Sequence, residues 1–221
     1  MDIPVLYKDA SLIVCVKPAG VDSETGMPAL VKAQTGAREA LCVHRLDRDV
    51  GGVMVYALDR RTAAALSRAL AAGGFEKEYL AVVHGSMEAD AAELRDLLFH
   101  DRANNKSFVV RRPRAGVKEA VLDYRVLGTS VDCSLLAVRL HTGRSHQIRV
   151  QLASRRHPLL GDAKYGSPRR DCGIALFSRL LGFPHPKSGE ALRFAAPPPD
   201  GFPWDMFDII YYGGKQCDTS K

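Results

Sequence analysis

The 221-residue chain predicts an α+β fold around a mainly antiparallel, twisted mixed sheet, organised as a single domain over residues 1–221. Three observations lead there. Segments with strand character outnumber those with helical period. Several neighbouring strand segments are joined by short turns, as hairpins are. Hydrophobic residues make up 46% of the chain, enough for a full-sized core, and no internal repeat or linker divides it.

Val5-Leu6-Tyr7 and Leu12 to Val16 are β-branched and apolar, and Lys17-Pro18-Ala19-Gly20 ends the second run in a turn. Residues 22–38 are rich in small and turn-forming types and read as loop. Gly51-Gly52 precedes a third strand, Val53 to Tyr56. Asp59 is placed to cap a helix from Arg60, with Ala63, Leu66 and Leu70 on one face and Gly73-Gly74 as its stop. Strand patterns resume at Tyr79–Val83, 120–127 and Leu135–Leu140. The last alternates Leu136, Val138 and Leu140 against Ala137, Arg139 and His141, as a half-buried strand does. Ser145 is positioned to cap a short helix to about Ser154, with Ile148 and Leu152 facing in. Pro184, Pro186 and Pro197 to Pro199 assign the C-terminal region to loop and sheet edge.

Lys and Arg number 31 against 25 Asp and Glu, a net +6 that permits an anionic partner without requiring one. The layout says more than the total. Arg102, Lys106, Arg111, Arg112, Arg114 and Lys118 form one run with no acid among them. Arg139, Arg144, Arg149, Arg155, Arg156, Lys164, Arg169 and Arg170 form a second, broken by Asp162 alone. Both runs suit a phosphate backbone, and both also suit an ordinary solvated face.

Cys15, Cys42, Cys133, Cys172 and Cys217 are scattered, with no C-x-x-C pair, so neither a disulfide framework nor a zinc knuckle is indicated. No histidine has metal-ligand spacing, and no metal is assigned. The start is not a signal peptide and no apolar run spans a bilayer, so a cytoplasmic chain with no membrane partner is expected.

Two polar strings stand out: His44-Arg45-Leu46-Asp47, and Thr142-Gly143-Arg144-Ser145-His146-Gln147-Ile148-Arg149. A lone Asp47 is most simply a surface carboxylate or a cap. Arg144, after the Thr142-Gly143 turn and beside a helix start, is placed to hold a phosphate or to pair bidentately with a carboxylate such as Asp47. Tyr79 is either a core or edge tyrosine or a ring that stacks on a base. His44 and His146 are either general bases or buried structural histidines.

With Val16-Lys17-Pro18-Ala19-Gly20, Lys77-Glu78-Tyr79-Leu80-Ala81, and Pro158-Leu159-Leu160-Gly161-Asp162-Ala163-Lys164-Tyr165-Gly166 at compatible spacing, these strings resemble the RluA family of pseudouridine synthases. One departure is Val50-Gly51-Gly52 where the family usually has Thr-Ser-Gly. No S4-like RNA-binding domain is read ahead of the catalytic core.

The resemblance implies an RNA uridine isomerase that needs no cofactor, acting on structured RNA such as a ribosomal or transfer RNA stem-loop. It implies Asp47 as the catalytic carboxylate, either attacking ribose C1′ or acting as a base at the sugar. It also implies that Arg45 fills the space of the flipped base, Tyr79 stacks on the uracil, Ile148 packs near it, and Arg144 pairs with the carboxylate. Both basic runs are expected to bind backbone, and a monomer is expected. Two other readings remain: a catalytically silent RNA-binding module of the same fold, and a glycosidase on small substrates. The latter needs a second carboxylate to activate water, for which no convincing residue is found.

Overall fold

The structure, a computed structural model, describes residues 2–207. In chain order the elements are β1 (Val5–Lys8), β2 (Leu12–Lys17), α1 (Gly26–Thr35), β3 (Leu41–Cys42), β4 (Gly51–Ala57), α2 (Arg60–Ala71) and β5 (Glu76–His84). There follow β6 (Ala91–Asp101), β7 (Lys106–Val110), β8 (Val117–Ser130), β9 (Cys133–Leu140), α3 (Gln147–Ala153), β10 (Leu176–Pro184) and β11 (Ala191–Ala195). Many strands and few helices make this the α+β fold on a mixed, open sheet that the sequence predicts. The chain separates into two compact units. The first holds residues 2–77 and 178–198; the second holds 78–177 and 199–207.

In the first unit the strand order is β1-β2-β4-β10, with β3 also on β4 and β11 on β10. Leu12 to Cys15 of β2 and Val53 to Ala57 of β4 are fully buried. Strands covered on both faces have no need to alternate polar and apolar residues. α2 packs on β4 through Leu66, and the Asp59 carboxylate accepts from Thr62 N at 2.8 Å as the expected cap. Burying a leucine of this kind contributes about 1.5–3 kcal/mol.

One expectation here is corrected. Residues 22–38, read as loop, contain α1. Pro28 falls in its first turn, where a missing N–H costs nothing, and Gly36, at φ +68°, ends it. Met27 and Val31, four apart, supply the buried face. Asp22 accepts from Glu24 N, Thr25 N and the Thr25 hydroxyl at 2.8–2.9 Å, which builds the turn into the helix.

In the second unit the order is β5-β9-β8-β6-β7, all neighbours antiparallel, with β7 last in the order. β9 lies between β5 and β8 and is buried on both faces from Cys133 to Val138, with Arg139 exposed. The half-buried alternation expected for it is therefore corrected. The hairpin β6–β7 was not legible, because the acids Glu93, Asp96 and Asp101 interrupt its apolar period.

The C-terminal expectation is also corrected. The apolar run Leu176–Phe183 forms the largely buried strand β10, and its prolines fall at the end of β10, in the following turn and after β11. Cys217 lies outside the described residues.

Candidate functional site

The loop between β3 and β4 carries His44-Arg45-Leu46-Asp47 in the first unit. Its side chains alternate in and out: His44, Leu46 and Val50 are buried, Asp47 is half-buried, and Arg45, Arg48 and Asp49 are exposed. The inward residues are therefore plugs that hold the outward ones in place.

His44 Nε2 accepts from Val55 N of β4 at 3.2 Å, and its ring meets Phe75 edge-on at 6.0 Å. Burial, with Lys77 adding to it, pushes its pKa down to about 3. His44 is thus neutral and structural, which decides against the general-base reading. Val50 N donates to Asp47 O at 3.0 Å and closes the turn. At this departure from the usual Thr-Ser-Gly pattern, the valine side chain faces the core.

Two residues that the sequence reading passed over shape this loop. Ser23 holds Leu46 from both sides: its hydroxyl donates to Leu46 O at 2.9 Å and accepts from Leu46 N at 3.2 Å. Lys17, the last residue of β2 and fully buried, donates to the carbonyls of Pro18 (3.0 Å), Val21 (2.6 Å) and Arg48 (2.8 Å). All three ammonium protons are used, and they clamp the 18–21 turn to the Asp47 loop. Burial lowers the Lys17 pKa to about 8, while Asp49, Asp22 and Asp47 act in the opposite sense. A lysine ending an apolar strand and followed by Pro-Ala-Gly was the available signal.

Gly52 is the register partner of Lys17. At φ +132°, a Cβ there would lie 2.3–2.5 Å from Ser178 backbone atoms of β10, so only glycine fits. Arg45 reaches outward and pairs with Glu24 at 2.9 Å, with both side chains more than half exposed.

The second string, in the second unit, turns from β9 into α3. The expected Ser145 cap is corrected. His146 precedes the helix in the left-handed region (φ +54°), and no side chain caps it. The Gln147 side chain organises the turn instead. Its Oε1 accepts from the Thr142 hydroxyl (2.8 Å) and Arg144 N (3.0 Å), and its Nε2 donates to Val121 O (3.1 Å).

Arg144 Nε donates to Glu119 O at 2.8 Å. Ile148 is buried on α3, and the Tyr79 ring is buried on β5 opposite Val138. The Tyr165 hydroxyl is shared by Ser107 N (2.8 Å), Ser107 O (3.2 Å) and His146 Nδ1 (2.9 Å), joining β7 to the turn. Arg149 and Asp162 form a buried bidentate pair at 2.7 and 2.9 Å. Arg45 and Asp47 thus share one loop of the first unit. Arg144 and Ile148 flank the start of α3 in the second, and Tyr79 lies on β5 of the same unit. No group of three or more metal-ligating side chains occurs among the described residues.

Comparison with known proteins gives one consistent result. The sequence model of a family described as RNA pseudouridylate synthase matches residues 11–154. An uncharacterized RNA pseudouridine synthase of Bacillus subtilis, YlyB, is 32% identical over 95% of this chain and 72% of its own length. The ribosomal large subunit pseudouridine synthase D of Neisseria meningitidis is 32% identical over 95% of this chain and 61% of its own. The chain therefore spans between about three fifths and three quarters of these relatives. Human RNA pseudouridylate synthase domain containing 1 has the same fold, with a TM-score of 0.79 at 21% identity over 90% of this chain and 84% of that one.

Proposed function

The chain belongs to the RNA pseudouridylate synthase family, and from that premise we propose that it converts specific uridines of ribosomal or transfer RNA to pseudouridine through Asp47. The reaction breaks the bond from uracil N1 to ribose C1′, turns the base, and joins C5 to C1′. C5 gives up its proton and N1 gains one, so the product is an isomer and the reaction balances without an oxidant or reductant. Asp47 either attacks C1′ or takes a proton from the sugar.

The single observation that carries this reading is the build of the Asp47 loop. Buried His44, Leu46 and Val50 fix it, the Lys17 ammonium clamps it, and the carboxylate stays half-exposed. That is how a scaffold holds one reactive group towards a large substrate. The target uridine leaves its stack to react. Arg45 takes its place, Tyr79 stacks on the uracil, Ile148 keeps water from the cleaved sugar, and Arg144 pairs with the carboxylate. These four roles rest on the family resemblance. Arg45 leaves Glu24 to act, and an exposed pair of that kind costs at most about 1 kcal/mol to break. The protein works as a cytoplasmic monomer, as one catalytic domain, on a stem-loop.

The test is site-mapped pseudouridine in total RNA from cells with and without the gene, by carbodiimide stops. A stop that vanishes on deletion returns with the wild type and not with Asp47→Asn. Asp47→Asn lowers turnover by at least about a thousandfold and leaves RNA binding in place. Full rescue by that variant sinks the assignment.

A further inference from the structure

The two basic runs are not equivalent. In the second, Arg149 pairs with Asp162, Arg155 with Asp96 at 2.8 Å, and Arg169 with Asp171 at 2.6 Å. Arg144, Lys164 and Arg170 spend donors on the backbone carbonyls of Glu119, Asn105 and Ser167. Exposed Arg139 has acids opposite it on both sides, Glu78 on β5 and Asp123 on β8. Much of that run is internal wiring.

The first run differs. Among the described residues, none of Arg102, Lys106, Arg111, Arg112, Arg114 and Lys118 pairs with a carboxylate. All but Lys106 are exposed. The nearby acids are occupied elsewhere. Asp101 accepts from Ala103 N, Asn104 N and the Asn104 amide to cap the β6–β7 turn, and Glu119 pairs with Arg95 at 3.0 Å.

The supports of this run are aromatic. Arg114 stacks on Phe99 at 4.7 Å, and Lys106 sits between Phe108 and Tyr165 at 5.6 and 5.4 Å. A ring face holds a cation in place without neutralising it. β7 is also last in the strand order of its unit, and the loop 111–116 runs from it to β8.

We infer that β7 with the loop 111–116 and Lys118 is the arm that grips the phosphate backbone of the RNA substrate, while the run 139–170 contributes little to binding. The inference rests on the proposed RNA-modifying reading. It also narrows the expectation that both runs bind backbone to one of them. Unpaired cations beside a short edge strand release counterions when they meet phosphates, whereas cations already paired with a carboxylate release few, and those fixed on a carbonyl must first give up that bond.

The experiment compares two triples that remove the same charge, each in the Asp47→Asn background so that binding is read without turnover. The arm triple is Arg111→Gln, Arg112→Gln and Arg114→Gln. The control triple is Arg155→Gln, Arg169→Gln and Arg170→Gln. The probe is total RNA from cells lacking the gene, labelled with [5-³H]uridine, in filter binding from about 50 to 300 mM salt, with circular dichroism to establish folding. The arm triple is expected to bind about tenfold more weakly at low salt, with a log–log salt slope shallower by about 2. The control triple is expected to stay within about twofold of its parent.

Equal losses in both triples, or no loss in the arm triple, overturn the inference. Tritium release by the unmutated protein from the same RNA reports the enzyme reading separately. Release with equal losses removes the arm and leaves the enzyme, whereas no release and no binding removes both.

Discussion

The Asp47 loop and the Arg144 turn carry the two strings that the sequence singles out, and they differ in what holds them. The Asp47 loop is held from outside itself, by a buried ammonium on β2 and a serine before α1 reaching its backbone. The Arg144 turn is held by neutral groups, both near and far: the Gln147 amide takes the Thr142 hydroxyl and Arg144 N and donates to Val121 O, and the Tyr165 hydroxyl meets His146. One depends on a buried charge, the other on a network of uncharged hydrogen bonds. A loop proposed to hold a half-exposed carboxylate still against a substrate gains from distant supports. The turn that presents the Arg144 guanidinium is fixed without a buried charge.

The largest difference should come from Lys17→Met. It keeps the volume and takes the ammonium from the carbonyls of Pro18, Val21 and Arg48, of which the last keeps Gly20 N, at a cost of about 3 kcal/mol, read as a lower urea midpoint. A loss under about 1 kcal/mol would erase the contrast between the two regions.

Acid pH gives the next. The His44 pKa is depressed, so between about pH 6.5 and 3 the unfolded chain binds a proton that the folded chain refuses. Stability is therefore full above about 6.5 and falls as the pH drops through that window. Urea midpoints at pH 7 and 4.5 measure this fall, and His44→Gln should flatten it. An undiminished fall in that variant would move the acid sensitivity elsewhere.

The smallest effect belongs to Gln147→Ala, about 1–2 kcal/mol, since water reaches part of the exposed turn once the amide is gone. It should impair turnover through the Arg144 turn while leaving that acid fall unchanged.

Distance along the chain explains what was legible. Asp59 and its helix, the apolar cores of β2, β4 and β5, and both polar strings were readable because each signal lies within a few residues. The role of Lys17 was hidden, since its partner at Arg48 is 31 residues away. α1 was hidden because Gly26 and Pro28 are turn formers that its first turn happens to tolerate. The difference between the basic runs was invisible for the same reason: Arg155 finds Asp96 59 residues away. The linear sequence records which charges exist but not which of them are already spoken for.

The glycine at position 52 has a consequence for the order of events during synthesis. Its backbone lies against Ser178, so the strand that leaves the Asp47 loop is completed by a segment made more than a hundred residues later. On a ribosome releasing the chain from its N-terminus, β1 to β4 can emerge with the whole H-R-L-D string while the berth for β10 is still vacant. The Asp47 loop then lacks one of its neighbouring strands until β10 has left the exit tunnel, a built-in delay set by the distance between positions 52 and 178.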